Sequence, residues 1–193
     1  MYPDRRQAGE GDAELVRRSR SGEPEAFDLL VERHTRRLYR VVRRLASDSG
    51  EAEAIVQETW LRAWRRLPEC EESRPLFPWL AKVAMNVARD RWRRDRALTF
   101  ADLDVEAGDF AEDEPGPEPR LERRLALQRL ADGVERLTPA QRAAVALRYD
   151  AGLAYEEIAR AMDIPVNTVR THLHRAKAAL RAWMEAEGEG LAG

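Results

Sequence analysis

Polar and basic side chains near the carboxyl end of the chain have the chemistry needed to bind DNA. The stretch from Val166 to Lys177, VNTVRTHLHRAK, combines amide, hydroxyl, imidazole and cationic groups. Such groups hydrogen-bond base edges or phosphates when a helix carries them into a major groove. The candidate DNA-binding residues are Asn167, Thr168, Arg170, Thr171, His174, Arg175 and Lys177.

The apolar spacing predicts a helix that holds these groups on one face. The apolar seam comprises Val166, Val169, Leu173, Ala176 and Leu180. At about 100° per residue, Thr168, Thr171 and Arg175 point away from it. A shorter helix, Tyr155 to Met162, precedes the turn at residues 163–165, where Asp tolerates a left-handed conformation and Pro has a fixed φ. The pattern predicts a helix-turn-helix; the alternative is a solvated face on a small helical hairpin.

A second helix, predicted from about Phe77 to Arg96, also has nucleic-acid chemistry. Its apolar side comprises Leu80, Val83, Ala84 and Val87, and the opposite side comprises Lys82, Met85, Asn86, Arg89, Trp92 and Arg93. Aromatic rings stack on unpaired bases, cations follow the phosphate backbone, and an amide hydrogen-bonds a base edge. This side is therefore a candidate surface for single-stranded DNA. The alternative is that Trp79 and Trp92 pack on neighbouring helices and the arginines are solvated.

A third helix, predicted from about Gly50 to Leu67, carries a candidate protein-binding surface. Its inward positions are Ala52, Ile55, Val56, Thr59, Trp60, Ala63 and Leu67, and its outward positions are Gln57, Glu58, Leu61, Arg62 and Arg65. An exposed Leu61 among polar neighbours suits docking of a protein partner.

The distribution of charge matters more than the net charge of −2. Residues 97–119 hold eight of the 35 acidic side chains and none of the 33 basic ones, so the rest of the chain is basic. Proline and self-repulsion favour an extended linker over residues 98–119. With one cysteine, Cys70, no internal disulfide forms, and no signal peptide or membrane span is evident. We expect a cytoplasmic protein.

The predicted fold is all-α, with two small helical domains joined by the acidic flexible linker. The boundaries are a disordered N-terminus at residues 1–11, a first domain at 12–97, a helix-turn-helix domain at 120–184 and a loose tail at 185–193. The first domain begins with helices near residues 12–21 and 24–45. In the second, helices are predicted at residues 120–136 and from Pro139, where Thr138 and Gln141 form a capping box.

Catalysis is not indicated. His172 and His174 are two residues apart on a helix, point to different faces and make a poor metal pair. The sequence has no phosphate loop, nucleophile and base pair, or Cys/His cluster. His34, on an apolar stripe, has no second ligand nearby and is expected to be a hydrogen-bonded packing residue. We expect no cofactor, no metal, no small-molecule substrate and no enzymatic activity.

The chain resembles bacterial extracytoplasmic-function sigma factors of the sigma-70 family, from about Asp12 to Trp183. The resemblance lies in four blocks that occur in the family's order: AFDLLVERHTRRLYRVVRRL, EAEAIVQETWLRAWRRL, FPWLAKVAMNVARDRWRR and, after the acidic linker, LTPAQRAAVALRYDAGLAYEEIARAMDIPVNTVRTHLHRAKAAL. The second and third blocks are more specific than the helix-turn-helix alone.

The resemblance implies that the chain directs core RNA polymerase to promoter DNA. Polymerase would be bound by Glu53, Ile55, Val56, Gln57, Glu58 and Leu61. The minus-ten element would be melted and held by Lys82, Asn86, Arg89, Trp92 and Arg93, with a flipped base in the loop from Pro68 to Pro75. The residues of the first paragraph would bind the minus-thirty-five element, and the linker would thread toward the RNA path. An anti-sigma protein, membrane-bound in some cases, is the implied regulator.

Three positions depart from the family pattern. Ala54 replaces the usual acidic residue of the polymerase-binding helix, so Glu53 or Glu51 is expected to supply that contact. Ala154 replaces the usual Ser or Thr N-cap, a loss of about 1 kcal/mol of local helix stability. His172 replaces a frequent basic residue. The rival function is a regulator that binds duplex DNA through its helix-turn-helix and never serves as a polymerase subunit.

Overall fold

The computed structural model describes residues 11–95, 129–130 and 132–189, and this part of the chain is helical with no strand. The first unit contains α1 (Asp12–Arg20), α2 (Pro24–Arg43), α3 (Ser49–Arg66), a short 3₁₀ turn (Leu67–Glu69) and α4 (Leu76–Asp95). The second unit contains helical residues 129–130 and 132–135, α5 (Pro139–Val145), a π-helical turn (Ala146–Asp150), α6 (Tyr155–Met162) and α7 (Val166–Glu189). The all-α prediction is confirmed.

Local capping chemistry explains where two of the first unit's helices begin. Pro24 is the first residue of α2, where the missing N–H has no helical partner to lose. The Asp48 carboxylate accepts a hydrogen bond from the Glu51 N–H at 2.8 Å and caps α3. The Glu51 carboxylate in turn accepts from the Ser47 N–H at 2.6 Å. Glu51 is therefore committed to this cap.

An ion-paired carboxylate fastens α1 to α2. Asp12 contacts His34 Nε2 at 2.8 Å and Arg33 Nη1 at 2.6 Å. Burial raises the pKa of Asp12, but the hydrogen bonds and charges of His34 and Arg33 outweigh it and leave that pKa below its ordinary value. The buried His34 ring lies 5.9 Å from the Phe77 ring. The predicted role of His34 as a hydrogen-bonded packing residue is confirmed.

The second unit shows the predicted capping box and a longer last helix. Thr138 Oγ1 accepts from the Gln141 N–H, and Gln141 Oε1 accepts from the Thr138 N–H at 3.1 Å. Helix α7 continues to Glu189, past the start of the loose tail expected at residue 185. A Cβ on Gly133 would lie 2.7 Å from Trp183 Cδ1, so the helix before α5 packs closely against α7 only because this residue is glycine.

The two units pack directly on each other. Helix α4 lies between α3 and α6, and one apolar core runs from Ile55 and Leu80 of the first unit to Leu147 and Ile158 of the second. Residues 1–10, 96–128, 131 and 190–193, which include all of the predicted linker and the start of the predicted 120–136 helix, lie outside the described residues.

Polar contacts reinforce this junction at the end of α2. The Arg37 guanidinium donates to the Ala151 carbonyl oxygen and also stacks on the Phe77 ring, 3.8 Å from its centroid. Arg44 Nε lies 3.3 Å from an Asp150 carboxylate oxygen. Burial and the nearby Arg40 charge lower the pKa of Arg37. Because the Arg37 guanidinium is partly removed from water, losing its hydrogen bond to Ala151 would cost more stability than losing one at an exposed site.

Candidate nucleic-acid interface

The helix-turn-helix has the geometry predicted from its sequence. Asp163 adopts a left-handed conformation with φ 59° and ψ 48°. The Ile164 N–H donates to the Ala159 carbonyl at 3.1 Å, and the Thr168 and Val169 N–H groups donate to the Pro165 carbonyl. The backbone polar groups of the turn are thus satisfied inside the motif, so α7 is held rigidly relative to α6.

Most of the predicted duplex-binding residues are exposed on α7. Asn167, Arg170, His174, Arg175 and Lys177 are exposed, and Thr168 is half-buried. Arg170 Nη1 donates to the Asn167 side-chain oxygen at 3.1 Å, which orders these two groups on one face. Side chains held this way can present donors and acceptors to base edges with little loss of conformational freedom.

Thr171 does not point outward as the spacing predicted. It is 4% exposed, and its hydroxyl donates to the Asn167 carbonyl at 2.9 Å on its own helix. Helical periodicity predicts burial only along the apolar seam of α7. Three successive residues, Thr171, His172 and Leu173, are buried, so other parts of the protein cover more than one side of α7 here. Burial and the Arg175 charge lower the pKa of His172. The buried imidazole is thus favoured in its neutral form.

The predicted single-strand surface of α4 faces the second unit. Lys82 and Arg93 are exposed, whereas Asn86, Arg89 and Trp92 are half-buried. Arg89 Nη2 donates to the Met162 carbonyl at 2.7 Å, at the last residue of α6. Lys82, Asn86, Arg89, Trp92 and Arg93 are called the strand-binding face below. Its centre is covered by α6 in this arrangement.

Met85 corrects the assignment of α4's outer side. It was expected to share the outward face, but it is 0% exposed. Met85 and Arg89 are one helical turn apart on one side of α4, and Arg89 contacts α6, so that side is packed against the second unit. Sequence periodicity within α4 carries no information about a helix that packs there from a distant part of the chain.

The outward side of α3 remains accessible. Glu53 and Gln57 are exposed, Glu58 is half-buried, and Leu61 is 55% exposed. These four residues, which the resemblance assigns to polymerase binding, are called the polymerase face below. Glu58 accepts from Arg62 Nε at 2.7 Å, and the same guanidinium donates to Asp90 of α4 at 2.6 Å. Arg62 therefore links the polymerase face to the helix that carries the strand-binding face.

Ile55 and Val56 belong to the core instead of the surface. They are 0% and 6% exposed, and they pack in the core that the two units share. Their predicted contribution to partner binding can only be indirect, through the position of α3. The sequence could have shown this, because both residues also fall on the helix's inward stripe.

Comparison with known proteins identifies the family. The family models for sigma-70 region 2 and sigma-70 region 4 match residues 30–98 and 127–180. The sigma factor CnrH of Cupriavidus metallidurans is 33% identical over 187 residues, which cover 93% of this chain and 97% of that protein. The sigma factor NccH of Alcaligenes xylosoxydans xylosoxydans is 32% identical, with 90% and 95% covered.

The chain belongs to the sigma-70 family. Its relatives include the ECF sigma-E factor of Escherichia coli K12, 32% identical with 88% of this chain and 92% of that protein covered. A solved structure of CnrH in complex with the cytosolic domain of CnrY is similar, with a TM-score of 0.67, 26% identity, and 92% and 99% of the two chains covered. The resemblance to extracytoplasmic-function sigma factors is therefore confirmed, and the chain acts in transcription initiation as an alternative sigma factor.

The loop after α3 in this sigma factor is anchored to α1 by Arg20. Arg20 donates to the Leu67 and Pro68 carbonyls at 3.1 Å, to the Cys70 carbonyl, and to the Glu72 carboxylate at 2.7 Å. The loop residues 71–75 are exposed. Burial raises the pKa of the Cys70 thiol, so the less reactive protonated form is favoured.

Two of the three sequence departures have local structural consequences in the sigma factor. Glu51 caps α3, which leaves Glu53 as the exposed carboxylate that can replace an acidic residue at Ala54. At α6, Glu157 Oε2 accepts from the Ala154 N–H at 2.8 Å, but Ala154 has no side-chain oxygen to return the bond. The helix keeps half of the usual capping interaction.

Sequence reasoning missed two exposed apolar residues in the first unit. Trp64 and Leu29 are each 45% exposed, and the Trp64 ring packs edge-on against Phe27 with centroids 4.9 Å apart. Trp64 is three residues after Leu61 and so lies on a neighbouring part of α3, which spacing alone could have shown.

The described residues contain no candidate metal site and no candidate membrane span. Among those residues, no group of three or more His, Cys, Asp or Glu side chains is placed to hold a metal ion. No helix within the same ranges has the length and apolar character needed to cross a lipid bilayer.

Proposed function

We propose that this sigma factor binds core RNA polymerase through the polymerase face of α3. The supporting observation is Leu61, a large apolar side chain that is more than half exposed between Gln57 and Glu58. A contiguous exposed apolar patch rimmed by polar residues is typical of protein-binding surfaces, whereas a single exposed apolar residue is common on any protein. Trp64 extends the apolar area along the same helix.

The second unit reads the minus-thirty-five element as a duplex. The exposed Arg170, Arg175 and Lys177 supply phosphate and base contacts, and Asn167, Thr168 and His174 supply neutral donors and acceptors. Thr171 acts on the helix itself, because its hydroxyl is buried against Asn167. This surface does not need the two units to separate.

The strand-binding face of α4 then holds the unpaired minus-ten strand. Arg89 must give up its bond to the Met162 carbonyl before it can contact DNA, so strand capture requires α4 and α6 to move apart. Trp92 stacks on an unpaired base, and the cations hold the backbone. The loop at residues 68–75 receives a flipped base.

The sigma factor acts in the bacterial cytoplasm, where polymerase and promoter DNA meet, and it works by binding without catalysing a reaction. An anti-sigma protein is its proposed regulator, because the similar CnrH structure is a complex with the cytosolic domain of CnrY. The rival reading, a regulator that uses only its helix-turn-helix, is not favoured, since relatives named as sigma factors cover both units.

Run-off transcription on fragmented genomic DNA from the source organism tests the proposal. Bacterial core polymerase is assayed with and without the purified chain. Discrete transcripts that require the chain, with start sites that share two upstream elements, are expected. If core polymerase neither binds the chain nor initiates with it, while the chain still retards duplex DNA, the rival reading replaces this one.

A further inference from the structure

A cavity of about 560 Å³ lies where the two units meet. The end of α2 contributes Tyr39, Arg40, Arg43 and Arg44, and the second unit contributes Arg142 and Asp150. The volume lies within the range of pockets that hold small organic ligands, about 300 to 1,000 Å³. Neither unit forms the cavity alone.

The side chains that line the cavity carry more positive than negative charge. Four arginines line the cavity, against the carboxylates of Glu135 and Asp150. Asp150 is already paired with Arg44. Within the described part of the chain, Arg40 has no hydrogen bond or ion pair, and Arg43 has only a long one, 3.4 Å to the Ala46 carbonyl. Like charges gathered in a concave site repel one another and attract an anion.

Arg142 brings a cation of the second unit to the same cavity. Its Nη2 donates to the Glu135 and Leu137 carbonyls at 2.6 and 3.1 Å, which holds the side chain in place. Its Nε is buried and has no hydrogen-bond partner among the described residues. Burial lowers the pKa of Arg142. Because Nε is covered by protein atoms, it is unfavourably desolvated, and only the rest of this side chain can line the cavity.

The positions of the arginines at the end of α2 have an alternative explanation, but it does not apply to Arg142. Cations in the last turn of a helix stabilise its dipole, and this accounts for the positions of Arg40 and Arg43. Arg142 lies in another helix of the other unit, so its place beside the cavity does not follow from the sequence of α2. The convergence of both units on one cavity therefore needs a further cause.

We propose that this cavity is a binding site for a nucleotide with at least two phosphate groups. Guanidinium groups form paired hydrogen bonds with phosphate oxygens, and the exposed Arg40 and Arg43 would supply them. The partly buried Tyr39 ring lines the same space and offers an aromatic surface to the base. A single phosphate or a free anion would leave most of the volume unfilled.

The nucleotide would favour the packed arrangement of the units, because it contacts both. This consequence rests on the proposed function, since it matters only if α4 must leave α6 to capture DNA. The binding itself does not depend on that role. A bound nucleotide would lower the fraction of chains whose strand-binding face is accessible and so reduce initiation.

Isothermal titration of the full chain with ADP and with GDP tests the site. Adenosine, which lacks phosphate, and pyrophosphate, which lacks a base, are titrated in parallel. Saturable one-to-one binding of at least one nucleotide is expected, at least tenfold tighter than either fragment. The double variant Arg40→Ala, Arg43→Ala should weaken it about tenfold or more, because it removes two charged hydrogen-bond donors.

Arg36→Ala is the matched control. Arg36 is exposed on α2, one turn before Arg40, and is not part of the lining. Its replacement should change nucleotide affinity less than twofold. Arg40 and Arg43 are exposed and lie in the last turn of α2, so the double variant without ligand should melt within about 5 °C of the parent. A circular dichroism melt checks this before titration.

Three results would overturn the proposal. The first is no saturable binding of either nucleotide at millimolar concentration. The second is pyrophosphate binding as tightly as the nucleotides, which would leave no role for a base. The third is an equal loss in the Arg36 control, which would make the arginines a general polyanion surface. Inhibition of run-off transcription by the nucleotide is measured separately, so a failure of the sigma assignment leaves the titration interpretable.

Discussion

The polymerase face and the strand-binding face lie on adjacent helices of one unit, yet only the first is open. Leu61 of α3 is more than half exposed, whereas Arg89 of α4 is engaged by the Met162 carbonyl. Helix α3 has no helix over its outward side in the described chain, while α4 is packed on both sides. Under the proposed function, this difference predicts an order of events in which polymerase docks on the packed chain and DNA strand capture follows.

The largest expected effect is on the open face. Leu61→Asp should weaken binding to core polymerase roughly 30-fold or more, because losing a hot-spot residue of an interface costs at least about 2 kcal/mol. The change leaves the core intact. Fluorescence anisotropy of the labelled chain with core polymerase measures the affinity.

The control for Leu61 is Tyr149→Asp. Tyr149 is an exposed aromatic residue of the second unit, 70% exposed and far from α3 along the chain. It should leave polymerase affinity within twofold. Equal losses in the two variants would show that α3 is not the docking surface.

Trp92→Ala should act on the covered face. Loss of one base-stacking contact, worth about 1 to 3 kcal/mol, should reduce promoter opening about tenfold or more while polymerase affinity is retained. Permanganate footprinting of unpaired thymines measures opening. Trp64→Ala is the matched tryptophan control, and it should reduce polymerase binding instead. If Trp92→Ala weakens polymerase binding as much as opening, the two faces are not functionally distinct.

Arg175→Ala tests a third surface, which is exposed without any separation of the units. Loss of one base or phosphate contact should weaken binding of a minus-thirty-five duplex about tenfold. The loss should be the same in the free chain and in the polymerase complex, measured by gel retardation. An undiminished affinity in both would remove Arg175 from the interface.

Arg37→Met should weaken the packing between the two units and so make the strand-binding face more accessible. Met keeps an apolar stem against Phe77 but loses the bond to the Ala151 carbonyl. Loss of about 1 kcal/mol of junction stability should raise binding of a minus-ten oligonucleotide by the free chain about fivefold. Arg36→Met, an exposed neighbour, should have no such effect. Lower strand affinity in Arg37→Met would contradict the idea that α6 masks α4.

The smallest effect concerns pH. The pKa of buried His172 is lowered, so the unfolded chain binds a proton more readily than the folded one. Stability is therefore complete above the unfolded value of about 6.5 and falls as the pH drops below it. His172→Gln should flatten the dependence of the free energy of unfolding between pH 7.5 and 5.5, measured by urea denaturation. A dependence that stays as steep in the variant would assign it to other groups.

Local chemistry made much of this fold predictable. The Thr138 capping box, the left-handed Asp163 and the bounds of α6 follow from side chains a few residues apart. Met85 and Thr171 were misplaced for the opposite reason. Their burial depends on neighbours that helical periodicity within α4 or α7 does not reveal. Ile55 and Val56 lay on a stripe that the periodicity correctly directed inward, and only the family resemblance suggested a surface role.

The bond between Arg89 and the last carbonyl of α6 also affects how strongly a promoter must bind before it is used. A ligand that binds only a minor conformation shows an apparent dissociation constant equal to the intrinsic one divided by the populated fraction. If about one chain in a hundred has its units apart, strand affinity falls about a hundredfold with every base contact unchanged. Weak promoters would then be rejected by the energy of separation, without any residue that recognises them.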